Sequence, residues 1–195
     1  MKELNSSKIK QLFKNKTTEQ KIAEVFFRYP YREFTLSEIA KLAKVSKSRA
    51  SSILNAMSQN NFIILERLGK KFWRIRANIE NFEFKKRKIV YNLETIYSSG
   101  IVEFLEEHFK NPKAIILFGS FREGEDGTDS DIDIAVEILE NKKFKIMRFK
   151  EFENIEKSLG RKIKIHVFNR KNIDDNVFVN IANGIVLYGF LEVKK

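Results

Sequence analysis

The residues in this chain best suited to chemistry are Asp131 and Asp133, two positions apart in the run Asp131-Ile132-Asp133-Ile134. At a strand's period of two, both carboxylates leave one face while the isoleucines enter a core. Their bases then stand roughly 7 Å apart, near enough to converge on one or two hard cations, which take oxygen ligands. Upstream, Gly119-Ser120 ends a short run, Ala114 to Phe118, of mostly β-branched and aromatic residues. A glycine there lets the backbone approach a phosphate, and a serine hydroxyl with adjacent N–H groups can donate to it. Gly124 and Gly127 permit the unusual dihedrals of such a loop. The spacing predicts strand, Gly-rich turn and strand, with phosphate and metal meeting at the turn. A hairpin with a solvated acidic turn is the plainer alternative, since Asp and Gly are ordinary turn residues. An EF-hand over Asp129, Asp131 and Asp133 is excluded. Ile134 stands where that loop needs glycine, and no bidentate Glu follows at the required place.

With GS followed by ten residues and then DID, and with IILF before it, the stretch from Lys110 to Lys195 resembles the polymerase β-like minimal nucleotidyltransferases. The run Gly184-Ile185-Val186-Leu187-Tyr188-Gly189 also resembles that family's terminal strand. The resemblance implies transfer of a nucleoside monophosphate from a nucleoside triphosphate, ATP foremost, to a hydroxyl. It makes Asp131 and Asp133 the catalytic and Mg²⁺-holding residues and gives Gly119, Ser120 and Arg122 the nucleotide. As acceptor it implies a protein side chain, as in antitoxins that adenylylate HEPN-type ribonuclease toxins, or a small molecule. The chain departs from the family twice. Arg122 stands one residue earlier than the family's arginine, whose place holds Glu123. The third carboxylate, expected on the strand Lys162 to Phe168, is matched by Lys164 or His166. At period two Lys164 and His166 can both face Asp131 and Asp133, where an ammonium would partly neutralise them. The expectation is weak or absent transfer.

The elements that must position this site follow from apolar spacing. Ile89, Leu93, Ile96, Ile101, Leu105 and Phe109 predict a helical stretch broken near Ser98-Ser99-Gly100. Lys142 to Leu159 reads as one amphipathic helix with Phe144, Met147, Phe149, Phe152, Ile155 and Leu159 mostly inward. The strand Lys162 to Phe168 and a short helix from Asp174 to Asn183 complete this half. His108 and His166 are lone histidines without ligand spacing.

The first half has a different character. The chain carries a net charge of +11 over 195 residues. Lys41 to Lys88 alone holds 13 Lys and Arg against Glu66, Glu80 and Glu83, a net of +10. A block this basic in a folded region favours a polyanion partner, with a solvated lysine-rich surface as the bland alternative. Thr17 with Gln20, and Thr35 with Glu38, have capping-box spacing ahead of apolar stripes at helical intervals. Ser46 can cap a third helix whose inner stripe is Ala50, Ile53, Leu54 and Met57, leaving Lys47, Ser48, Arg49, Ser52 and Asn55 outside or flanking. Phe62 to Arg67 and Lys71 to Arg76, joined by Leu68-Gly69-Lys70, predict a hairpin. Three helices and a hairpin resemble a MarR-like winged-helix domain. That resemblance puts the third helix, with Lys47, Ser48, Arg49 and Ser52, in the major groove of double-stranded DNA. The wing residues Arg67, Lys70, Lys71, Arg74 and Arg76 would lie along phosphates. A winged helix that binds protein is the alternative.

The expected architecture is α+β: a winged helix-turn-helix over residues 1–84, a linking helix over 85–109, and over 110–195 a nucleotidyltransferase-type mixed β-sheet flanked by helices. A homodimer is a further expected partner. A rival function stays open, a DNA-binding regulator whose second half senses a nucleotide or mediates dimerisation without chemistry. No cysteine is present, so disulfides and thiolate zinc sites are excluded. No apolar run nears the roughly 20 residues of a membrane helix, and the opening MKELNSSKIK is no signal peptide. A cytoplasmic location is expected.

Overall fold

A computed structural model describes residues 16–68, 72–139 and 143–193. The described residues up to Tyr91 form one compact unit and those from Asn92 form another.

The first unit opens with α1 (Thr18–Arg28) and α2 (Leu36–Ala43). Both begin on complete capping boxes. Thr17 accepts from the Gln20 N–H while the Gln20 side chain accepts from the Thr17 N–H, and Thr35 and Glu38 repeat the exchange. Each cap satisfies donors a helix start otherwise leaves open, worth about 1 kcal/mol. Lys44, in the left-handed region at φ +55°, ends α2. Ser46 then caps α3 (Lys47–Gln59) by accepting from the Arg49 N–H. The antiparallel strands β1 (Ile63–Arg67) and β2 (Trp73–Ala77) follow, Leu65 opposite Ile75. The tip expected at Gly69-Lys70 lies outside the described residues. Phe34 bridges to Ile75 through two backbone hydrogen bonds of 2.8 and 2.9 Å, an added contact that locks the hairpin to the chain before α2. Ile22, Phe26, Ile39, Leu54, Ile63 and Ile75 form the buried centre. Burying each such side chain contributes about 1.5–3 kcal/mol.

In sequence terms the second unit begins inside α4 (Phe82–Ser99), which breaks at Gly100 (φ +78°) before α5 (Ile101–His108). Its sheet has the order β5-β6-β4-β3-β7, formed by β3 (Ala114–Phe118), β4 (Ile132–Glu137), β5 (Lys145–Met147), β6 (Ile163–Phe168) and β7 (Ile185–Gly189). Only β4 and β6 run parallel, so the sheet is mixed. Alternation sorts its two faces. Ile132, Ile134, Val136, Ile163, Ile165 and Val167 pack with Ile96, Leu105 and Phe152 on one. Ile116, Phe118, Ala135 and Phe168 pack with Ile181 of α8 (Asp175–Ala182) on the other.

Three expectations are corrected. Residues 143–159 are not one helix but strand β5, a 3₁₀ turn (Lys150–Phe152) and α7 (Glu153–Leu159). Short apolar runs fit either period, and here the open edge of β6 offers backbone partners that a helix would leave unpaired. The residues before Lys143 in that expected helix lie outside the described ones. After β3 the chain forms not a bare turn but one short helix, α6 (Gly119–Glu123), closed by Gly124 at φ +71°. Asp131 lies just before β4 rather than on it, so only Asp133 takes its direction from the pleat.

Candidate active site

The site forms where β3 ends and where β4 and β6 begin. Phe118 is the register partner of Asp133 in the antiparallel β3–β4 pair, so Gly119 emerges beside that carboxylate. A side chain at Gly119 would meet Asp133 Oδ2 at 3.3 Å, and its φ of +73° is one that L-residues rarely adopt. Backbone therefore lies against the carboxylate, and the half-buried Ser120 and Arg122 follow on α6. The Glu125 N–H donates to Ser120 O at 3.0 Å, folding the acidic loop back over that short helix.

Asp131 and Asp133 are both half-buried, and each has a partner from β6. The parallel register sets Lys164 opposite Asp133 and His166 opposite Ala135, yet both side chains lean back towards the strand starts. Lys164 Nζ lies 2.6 Å from Asp131 Oδ2, and His166 Nε2 lies 2.9 Å from Asp133 Oδ1. The hydrogen bond to Asp131 and the charge of Asp131 hold the Lys164 ammonium above the ordinary lysine range, so it is charged. His166 sits edge-on to Phe118, with centroids 4.9 Å apart. Asp131 Oδ1 and Asp133 Oδ2 carry no hydrogen bond among the described residues. As a donor set, two carboxylates suit a hard cation such as Mg²⁺. Among the described residues, no group of three or more Asp, Glu or His side chains gathers as a metal site. On β6, where the resemblance leads one to expect a third carboxylate, the residues facing the two aspartates are Lys164 and His166.

The loop that carries these aspartates is tied down by residues the sequence reading passed over. Asp126 is fully buried. It accepts from Asn92 Nδ2 at 2.8 Å and lies 2.7 Å from Arg161 Nη2, and Asn92 also donates to Phe121 O at 2.7 Å. Breaking a buried ion pair from one side generally costs about 3–5 kcal/mol, so this pair fixes the loop between α6 and β4. The only signal was an Asn within the apolar spacing of α4. Asp126 itself, among Glu125, Gly127 and Asp129, looked like any turn acid.

In the first unit, Lys47, Ser48, Arg49 and Ser52 are exposed along α3, as are Arg67, Arg74 and Arg76 on the hairpin. Lys70 and Lys71 lie outside the described residues. The cations differ in their surroundings. Arg67 donates to Asn55 Oδ1 at 2.8 Å and stacks over Trp73. Arg74 lies 3.4 Å from Glu33 and 3.7 Å from Glu66. Arg49 lies 3.5 Å from Glu19. Among the described residues no helix is long and apolar enough to cross a membrane.

A family model described as "Polymerase beta, Nucleotidyltransferase" matches residues 99–190. A relative from Methanocaldococcus jannaschii, named "Putative protein adenylyltransferase MJ1379", is 39% identical over 82 residues, which cover 38% of this chain and 80% of the relative.

Proposed function

We propose that this chain, which belongs to the polymerase beta nucleotidyltransferase family through residues 99–190, binds ATP with Mg²⁺ and transfers the adenylyl group to a protein hydroxyl. The observation that carries the reading is the approach of the Gly119 backbone to Asp133 Oδ2, with Asp131 alongside. Phosphate would be received by the Gly119 and Ser120 N–H groups, the Ser120 hydroxyl and Arg122, and the cation by Asp131 and Asp133. A bound Mg²⁺ would neutralise the phosphate charge that grows on the leaving pyrophosphate. In the transfer, a bond forms between the acceptor oxygen and the α-phosphorus while the bond to pyrophosphate breaks and the acceptor proton passes to solvent water. The relative's printed name supports ATP as donor and protein as acceptor. Transfer is slow in this reading, because Lys164 and His166 occupy the flank where a further carboxylate would serve as general base.

Calorimetric titration with ATP and Mg²⁺ tests the site. Native chain should bind, and the Asp131→Ala, Asp133→Ala double variant should lose at least tenfold in affinity, about 1.4 kcal/mol. Equal affinities would end the proposal.

We propose also that the first unit binds double-stranded DNA as a winged helix, α3 entering the major groove and the hairpin lying on phosphates. The exposed Lys47, Ser48, Arg49 and Ser52 on α3 support this, with Arg76 on β2. The Lys164–Asp131 pair favours a second reading, a DNA-binding regulator that senses the nucleotide without chemistry. Incubation with radiolabelled ATP separates the two, since Mg²⁺-dependent labelling of a protein acceptor, lost in Asp133→Ala, occurs only in the transferase.

A further inference from the structure

We propose that the Lys164 ammonium is a resident cation of the nucleotide site, so that the site takes one divalent ion with the triphosphate and not two. The inference rests on the nucleotide-binding reading above and adds how the charge is balanced.

Three observations carry it. The two carboxylates bring a charge of −2, and a monovalent cation is already in contact with one of them, Lys164 Nζ to Asp131 Oδ2 at 2.6 Å. Asp133 Oδ1 is likewise taken, by His166 at 2.9 Å. That leaves Asp131 Oδ1 and Asp133 Oδ2 among the described residues. The protein then offers two free carboxylate oxygens, enough to share one six-coordinate ion whose other ligands are phosphate and water. Two ions would have one such oxygen each. A second divalent ion would also stand beside an ammonium already in the site, where like charges repel as the inverse of distance. Lys164 is held to this place by more than its own flexible stem. Its backbone is in the β6 ladder, where the parallel register fixes it opposite Asp133. The side chain therefore starts from one side of the carboxylate pair and reaches only to Asp131, two residues back along β4's entry.

The test counts bound Mn²⁺ on the full chain by electron paramagnetic resonance, in the presence of α,β-methylene-ATP. Native chain should hold one Mn²⁺ with no spin coupling. Lys164→Asp, which exchanges the cation for a ligand, should hold two, with a spin-coupled signal. Lys164→Met, which removes the cation and releases Asp131 Oδ2 but adds no further carboxylate, should still hold one but bind it about tenfold more tightly. Two coupled ions in the native chain, or unchanged or weaker Mn²⁺ binding by Lys164→Met, would overturn the inference while leaving the nucleotide site standing. Failure of the native chain to bind the analogue at all would overturn the nucleotide reading itself. If Lys164→Asp does not fold, judged by circular dichroism, the native count and the Lys164→Met affinity decide the matter.

Discussion

Two glycines of the second unit separate binding from stability. At Gly119 an added Cβ would stand 3.3 Å from Asp133 Oδ2, a contact that a side chain can relieve by a small shift. The φ of +73° adds strain of about 1 kcal/mol for an L-residue. In the proposed nucleotide complex the larger effect falls on the ligand, because the new methyl group would occupy the surface the phosphate would approach. Gly119→Ala should therefore remain folded and lose at least about tenfold in ATP affinity by calorimetry. At Gly184 the same methyl would meet Ile116 Cγ2 at 2.5 Å and Leu117 O at 2.6 Å, with backbone on two sides. There the residue serves the fit of β7's entry against β3, and the ligand is not involved. An ATP affinity in Gly119→Ala equal to native would place the phosphate elsewhere.

Among the elements, the caps were legible because they are local. Thr35 and Glu38 lie three residues apart, and no distant contact decides whether their side chains meet the backbone. The Thr35 N–H, then the Thr35 hydroxyl, hold the Glu38 carboxyl below the usual carboxylate range. A depressed carboxylate contributes stability above its unfolded pKa and loses it as pH falls through the folded value. Thr35→Ala should thus cost about 1 kcal/mol at neutral pH in a urea unfolding series, with the gap to native narrowing in acid. A gap independent of pH would assign the loss to the hydroxyl's cap on the Glu38 N–H and not to its bond with the carboxylate. The strands β3 and β4 were legible for a related reason, since Ile132, Ile134 and Val136 alternate in a way that only a strand can use. Strand β5 was not. Its three residues Lys145, Ile146 and Met147 are strand only because β6 needs an antiparallel neighbour, and nothing within the segment says so. Asp126 was hidden in the same way: its burial depends on Asn92 and Arg161, 34 and 35 residues away along the chain.

For the molecule as a whole, the charge of +11 overstates the cationic surface open to a partner. Within the basic segment Lys88 is fully buried, Arg67 is engaged with Asn55 and Trp73, and Arg74 lies between Glu33 and Glu66. Surface ion pairs of this kind are weak, yet each carboxylate beside an arginine lowers the counterion release that arginine can drive on a phosphate. Arg76 stands opposite Ile64 in the hairpin register, on the same face as Arg74 but without a carboxylate across the strand. In the proposed duplex complex the two arginines should therefore separate, though sequence alone treats them alike. Arg76→Ala should weaken binding to all duplexes and lower the slope of log K against log salt by about one. Arg74→Ala should lower it by less, because Glu33 and Glu66 already offset part of the charge that arginine can bring to a phosphate. The measurement is fluorescence anisotropy of a labelled duplex across a salt series for the native chain and both variants. A slope for Arg76→Ala equal to native would remove the hairpin from the phosphate path and leave α3 to account for any duplex binding.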